Sequence, residues 1–395
     1  MSKKDKKKSI NNLLIITLGI VLLMTMNIKA ELLDTPKLEI IKEIEIKRNT
    51  QDLIVDKDTF RPKVYVTKEG IEFLNKEGKV EKEYIFENKR VEVVKSKGAK
   101  YIGITTILES NSKGGIKDAN FVMLDDNGNV KWEYKHKFFK CFPSPEGTYA
   151  IGMLDPEWGG APLYLINSKG EEKQISEEGV DRSSSPHFNI SENGNIITIK
   201  IKKLKENPDK SLLVVLDKKG NELWRKESEN KSIGGLPSRK YIAVFTTNKE
   251  TKECVLSMCD LKGNVLWEYK PFKGTGYVSF SEDLQYLFST WELYEVETGK
   301  LVWRHEEYIK GGYIFATPNF EFIVVISGLW NKHKKTANTL YLFNREGKKL
   351  LYQEFAPDYI IFRDYRPIIS ISPDGKNILI ETKEGLKIFK NPFTE

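Results

Sequence analysis

Apolar and polar positions alternate along this chain in short runs, broken at close intervals by turns of Gly, Asp, Asn, Ser and Pro. The two-residue period of a half-buried strand recurs throughout, and nothing between the repeated runs has the 3.6-residue period of an amphipathic helix. One line keeps returning. It reads LDDNGNVKWEY from Leu124, LDKKGNELWRK from Leu216, CDLKGNVLWEY from Cys259 and YEVETGKLVWRH from Tyr294, with looser copies from Phe73, Leu165 and Leu342. The turn glycines are Gly78, Gly128, Gly170, Gly220, Gly263, Gly299 and Gly347, between 36 and 50 residues apart. A second line alternates with the first: FPSPEGTYAIGML from Phe142, FNISENGNIITIKI from Phe188, VSFSEDLQYLFST from Val278, FATPNFEFIVVIS from Phe315 and ISISPDGKNILIET from Ile369, with looser copies from Val93 and Gly234. Each line is a hairpin, because its central residues set φ or tolerate the left-handed region. One copy of each makes four antiparallel strands per repeat, the signature of a propeller blade.

The chain ends decide the blade count. DLIVDKDTFRPKVYVTKEG from Asp52 reads as a degraded copy of the second line, giving eight copies of the second and seven of the first. The last second-line copy is followed by a single strand, GLKIFK from Gly385, so the final blade lacks its outermost strand. KLEIIKEIEI from Lys37 is an apolar strand with no other use. The expectation is an all-β fold of eight four-stranded blades over residues 53–395, closed by a strand within 31–52; a seven-bladed ring is the alternative. The 39% hydrophobic and 11% aromatic content suits a packed β protein rather than a disordered one.

The N-terminus changes the picture of where the protein works. Lys3, Lys4, Lys6, Lys7 and Lys8 precede an apolar run from Leu13 to about Met26. That is a signal-type leader over residues 1–30, either cleaved for secretion or kept as a membrane anchor at residues 10–28. Both versions place the propeller outside the cytoplasm. The leader also accounts for the charge. Its six Lys and one Asp give +5 of the formal +7, leaving +2 for the body. A nucleic-acid partner, which needs a strong basic patch on the folded domain, is therefore not expected.

Candidate chemistry is sparse. No CxxC or HxxxH spacing marks a metal site, no GxxxxGK[ST] marks a phosphate loop, and the acidic turns lack a calcium-loop pattern. No catalytic residue, cofactor or metal is expected. Cys141, Cys254 and Cys259 read as small packed residues. His305 occupies the repeat position of Tyr134 and Tyr269, which points to packing, while His136 is expected at a rim, His187 on an innermost strand and His333 in a solvated loop. Trp132, Trp224, Trp267 and Trp303 share one repeat position, four residues after the turn Gly, and are expected between blades. The long irregular loops between hairpins and between blades lie on the face opposite the short turns. Variable loops on a rigid scaffold are where binding residues collect. Trp158, Arg182, Trp330, Arg363, Tyr365 and Arg366 are the expected partner contacts on that face.

The D-x-x-G-x-x-x-W line resembles the repeat of PQQ-like, quinoprotein-type β-propellers, and the S-x-D-G line is similar to the inner hairpin of WD-repeat propellers, over about residues 38–390. The resemblance implies a propeller whose activity is open, since the superfamily spans quinone-dependent dehydrogenases, arylsulfotransferases and non-catalytic scaffolds. The dehydrogenases need a cofactor-stacking Trp, a calcium-binding carboxylate cluster and usually a vicinal Cys pair, and none can be matched here. The sulfotransferases need an active-site His with Arg and His companions, for which four scattered His give little support. The expected function is that of an extracytoplasmic, non-catalytic binding or scaffold module at the membrane, with a protein or cell-envelope partner. The alternative is an enzyme of the quinoprotein or arylsulfotransferase type.

Overall fold

The computed structural model describes residues 38–46, 50–87, 89–110, 116–154, 162–176, 187–204, 207–229, 231–248, 250–251, 253–270, 278–289, 292–305, 313–327, 330–331, 334–335, 339–356, 360 and 368–394. They form eight four-stranded antiparallel sheets, each a simple up-and-down run. Blade 1 is Asp52–Val55, Pro62–Val66, Gly70–Leu74 and Val80–Ile85; blade 2 is Arg90–Lys95, Tyr101–Ser110, Ile116–Asp125 and Val130–His136. Blade 3 is Lys140–Pro143, Tyr149–Met153, Leu163–Asn167 and Glu172–Gln174; blade 4 is His187–Ile190, Ile196–Leu204, Asn207–Asp217 and Glu222–Glu229. Blade 5 is Lys231–Pro237, Tyr241–Asn248, Cys254–Asp260 and Val265–Tyr269; blade 6 is Val278–Phe280, Tyr286–Ser289, Glu292–Glu295 and Leu301–Arg304. Blade 7 is Tyr313–Ala316, Phe322–Ser327, Thr339–Asn344 and Lys349–Glu354. Blade 8 takes Ile369–Ile371, Asn377–Thr382 and Gly385–Lys390 from the end of the chain and Glu39–Ile44 from near its start.

The closing strand thus lies where the sequence places it. Glu39 pairs with Lys390 and Ile44 with Leu386, antiparallel, with a register shift between Ile40 and Lys42. Leu38 inserts beside it into a core shared by blades 7 and 8, with Val324, Leu342, Ile378 and Phe389. Its backbone N–H donates to Gln353 Oε1 of blade 7 at 3.0 Å.

Turn chemistry explains why the repeats fold this way. In the second hairpin of blade 4, Asp217 Oδ1 accepts from the backbone N–H of Lys219 and of Asn221, both at 2.8 Å, and Gly220 takes the left-handed conformation at φ 71°. Asp125 and Asp260 repeat the pattern in blades 2 and 5. These carboxylates hold the turn as Asx caps. Buried apolar residues then lie in layers between neighbouring blades: Tyr149, Ile151 and Leu165 of blade 3 pack on Ile197, Ile199 and Leu216 of blade 4. Stability is accordingly spread over nearest-neighbour interfaces rather than one central core.

His136 departs from expectation. It ends the last strand of blade 2 but is buried, 8% exposed, with its ring stacked 5.2 Å from Phe138. The Phe138 N–H donates to Nδ1 at 2.8 Å, and Cys141 Sγ lies 3.8 Å from Nε2. The strand that follows folds back across it, so a rim position in sequence becomes an interblade one. His305 does pack as expected, its ring 4.7 Å from Phe343 of the next blade. All three cysteines are free and buried.

Candidate ligand site at the channel mouth

The first strand of each blade ends its sheet, pairing on one side only. These strands surround a central channel. Two adjoining cavities, about 1130 and 620 Å³, draw their walls from the first strand of all eight blades, among them Leu53, Val93, Phe142, Phe188, Leu236, Phe280, Ile314 and Ser370. The unpaired strand edges turn polar backbone groups inward, while half-buried side chains such as Val93, Phe142, Phe188 and Phe280 leave apolar surface facing the space.

The mouth is set by one local device. The turn after each first strand begins with a small polar residue that is buried: Ser96, Ser144, Ser191, Ser238, Ser281, Thr317 and Ser372 in blades 2 to 8. Each hydroxyl accepts a backbone N–H where the second strand starts, as from Ile196 to Ser191 Oγ at 3.0 Å and from Asn377 to Ser372 Oγ at 2.9 Å. Blade 1 uses Asp56 instead, whose Oδ1 accepts from Thr59 N–H at 2.8 Å. Burial works to raise the Asp56 carboxyl, but these hydrogen bonds outweigh it and hold the group below the usual carboxylate range. With that residue pinned, the next one is thrust over the channel. Going round the ring it is Lys57, Lys97, Pro145, Glu192, Arg239, Glu282, Pro318 and Pro373, and all eight line the smaller cavity.

The ring has two unlike halves. On blades 4 to 7 neighbouring turns are tied together: Arg239 N–H donates to Glu192 Oε1 at 3.0 Å, Arg239 Nη2 to the Glu282 carbonyl at 3.2 Å, and Glu282 N–H to the Pro318 carbonyl at 2.7 Å. On blades 1 and 2 the mouth carries Lys57, Lys97 and Lys100, which line both cavities. Deeper lysines are neutralised: Lys63 by Asp126 at 2.7 Å, Lys95 by Asp52 at 2.8 Å and Lys140 by Glu92 at 3.3 Å. Among the described residues, Lys57, Lys97 and Lys100 have no carboxylate within 4.0 Å. Lys57, Lys97 and Lys100 are exposed; the channel wall around Lys97 works to hold its ammonium below the ordinary lysine value, and Glu192 works the other way. Among the described residues no group of three or more His, Cys, Asp or Glu is arranged to hold a metal ion.

Of the contacts expected from sequence, Trp158, Arg182, Arg363, Tyr365 and Arg366 lie outside the described residues. Trp330 begins a two-residue strand, Trp330–Asn331, that pairs with Lys334–Lys335 beyond the second and third strands of blade 7. His333 and Trp291 also lie outside the described residues, and His187 starts the first strand of blade 4 opposite Lys200. The mouth lysines were not singled out by sequence reasoning. Lys57 and Lys97 directly follow the residue that opens the second-line turn of their blades, and Lys100 lies three positions beyond Lys97, but no chemical type recurs at that place around the ring.

This geometry has many solved counterparts. A crystal structure of a eukaryotic initiation factor overlays with a TM-score of 0.58 at 12% identity, covering 90% of this chain and 88% of that one. The C-terminal WD40 domain of Sif2 gives 0.49 at 10% identity, covering 91% and 99%, and the propeller of the trilobed protease from Pyrococcus furiosus gives 0.45 at 13%, covering 76% and 93%. The chain shares the β-propeller fold with them. No protein-family description matches the sequence, and no curated protein matches it. At these identities the likeness extends to the fold and no further.

Proposed function

We propose that this propeller is a non-catalytic binding or scaffold module working outside the cytoplasm, held at the membrane by its N-terminal segment or secreted by it, with a protein or cell-envelope component as partner. The observation that carries the binding role is the channel mouth. Eight turns from a rigid ring present eight side chains around one concave opening, seven held by a buried Ser or Thr beneath them and the eighth by the Asp56 carboxylate. Such a frame suits recognition by residues that vary from turn to turn on a constant scaffold. The Lys-rich start and the Leu13–Met26 apolar run support the location.

The test has two parts. A reporter fused after Glu395 should report an extracytoplasmic position, and a cytoplasmic signal would refute the location. Cross-linking and capture of the full chain from its native envelope fraction should recover a stoichiometric partner. Turnover of a sulfate ester or an alcohol by the purified chain, abolished by a channel substitution, would instead establish an enzyme.

A further inference from the structure

We propose that the channel mouth binds a small molecule with an anionic head and an apolar body, its carboxylate or phosphate held by Lys57, Lys97 and Lys100 and its body lying against the channel wall. This rests on the binding reading above and names the chemistry of the ligand.

Three independent observations converge. First, the cations there are uncommitted. Every other lysine lining the two cavities has a carboxylate partner, and the single arginine is tied to its neighbours, whereas Lys57, Lys97 and Lys100 have neither an ion pair nor a hydrogen bond among the described residues. All three line the same two cavities, so an anion entering there meets positive charge from two neighbouring blades. Second, all three side chains are exposed at this one opening and line both cavities, so an arriving anion can reach them directly. Third, the space behind the lysines is too large for an inorganic ion. The smaller cavity alone is about 620 Å³ and is backed by Leu236, Val278, Phe280, Ile314 and Ile371. That volume is in the range of sites for drug-sized organic ligands.

The opposite half of the ring sets polarity. Glu192 and the Glu282 carbonyl accept from Arg239, so among the described residues lining the cavities no free cation competes for the head there. The head should therefore seat on the blade 1 and 2 side, with the body directed across the mouth toward blades 5 to 7.

The test is calorimetric titration of the full chain with 2-naphthoate and 2-naphthyl phosphate, beside acetate and inorganic phosphate as heads without a body, and 2-naphthylmethanol as a body without a head. One site per chain is expected for at least one anionic naphthyl probe, at least tenfold tighter than any of the three partial ligands and weakening as salt is raised. Which of the two binds tells carboxylate from phosphate. The triple variant Lys57→Met, Lys97→Met, Lys100→Met should weaken that probe at least tenfold with an unchanged melting temperature. Should the triple variant be unstable, Lys97→Met must weaken binding and Lys97→Arg must retain it. Equal affinity in the parent and the Met variants overturns the proposal. So does the absence of saturable binding by both anionic probes at millimolar concentration, or binding of the neutral alcohol as tight as that of the anions. Capture of a protein partner is read separately and can succeed when this fails.

Discussion

The indole of Trp267 lies flat against the turn glycine of the next blade, Gly299. A Cβ placed at Gly299 would come 2.6 Å from the indole, and Trp267 Nε1 donates to the Val296 carbonyl of that same turn at 2.7 Å. Trp224 covers Gly263 and Trp303 covers Gly347 in the same way, and Trp303 Nε1 donates to the Arg345 carbonyl at 2.7 Å. At these three interfaces the repeated Trp and the repeated Gly are thus one feature, the outer strand of one blade closing over the turn of the next, whereas Tyr134 covers Gly170 and Trp132 Nε1 donates to the Gly147 carbonyl instead. Gly299→Ala should therefore be doubly unfavourable, because φ there is 68° and the methyl meets the ring. A loss of about 2 kcal/mol is expected, and of about 3 kcal/mol or more for Trp267→Ala. Denaturant midpoints measure both. A neutral Gly299→Ala would show that the ring and turn do not constrain each other.

Ring closure gives a second prediction. The pairing of Glu39–Ile44 with Gly385–Lys390 covers the edge of blade 8, and Leu38 fills the core beside it. Deleting residues 31–48 should expose that edge, lower the melting temperature and promote self-association. Light scattering and thermal unfolding would show it. A deletion variant that stays monomeric and as stable as the parent would show that the ring does not depend on this strand.

These two features were legible in the sequence because both follow from the repeat. Gly128, Gly220, Gly263 and Gly299 recur with Trp four positions on, and the spare strand at Lys37 matches a blade short of one. The mouth was hidden for the opposite reason. The residue after Asp56 and after each buried Ser or Thr is Lys, Lys, Pro, Glu, Arg, Glu, Pro or Pro, so no chemical type recurs to be noticed. Turn glycines also mislead at Phe60, Leu284 and Phe320. These residues hold the left-handed conformation that Gly147, Gly194 and Gly375 hold in other blades, at φ 56°, 60° and 58°. Their side chains are 1%, 5% and 4% exposed. Burying a Phe or Leu, worth roughly 2 kcal/mol, offsets a backbone cost of about 1–2 kcal/mol. A rule based on Gly alone therefore weakens blades 1, 6 and 7.

His136 predicts a pH dependence. Burial among Phe121, Tyr134, Phe138 and Cys141 pushes its pKa down from 6.5 to about 4. The unfolded chain binds the proton more readily, so stability is full above about pH 6.5 and falls as pH drops from there to about 4. The loss attributable to this residue is on the order of 3 kcal/mol. The Asx carboxylates, held below the usual Asp range chiefly by hydrogen bonds that outweigh any burial, lose their contribution only below about pH 3.8. The two windows are therefore separable. His136→Leu should be less stable at neutral pH, since the Phe138 N–H loses its acceptor, but flatter between pH 6.5 and 4. Equal slopes in the two proteins would assign the dependence to other groups.

The last prediction concerns a charge buried between blades 5 and 6. Glu292 is fully buried, and its carboxylate accepts from Arg304 Nε at 2.5 Å and from the Tyr294 hydroxyl at 2.5 Å. Arg304 reaches back across the interface, donating from Nη2 to the Tyr269 hydroxyl at 2.7 Å. Burial and the neighbouring carboxylate both push the Tyr294 phenol upward, so it stays a donor throughout the physiological range. Such a pair contributes little net stability relative to apolar residues, but removing one partner strands the other. Arg304 is itself about a third exposed, so water screens part of the loss, and Arg304→Ala should cost about 1–3 kcal/mol, mostly from the buried Glu292 left unpaired. Adding Glu292→Gln removes the stranded charge while keeping an acceptor for Tyr294, so the double variant should be more stable than Arg304→Ala alone. Denaturant midpoints of the four proteins form the cycle. If Glu292→Gln destabilises the Arg304→Ala background as much as it does the parent, the cost of losing Arg304 comes from lost packing and not from an unpaired carboxylate.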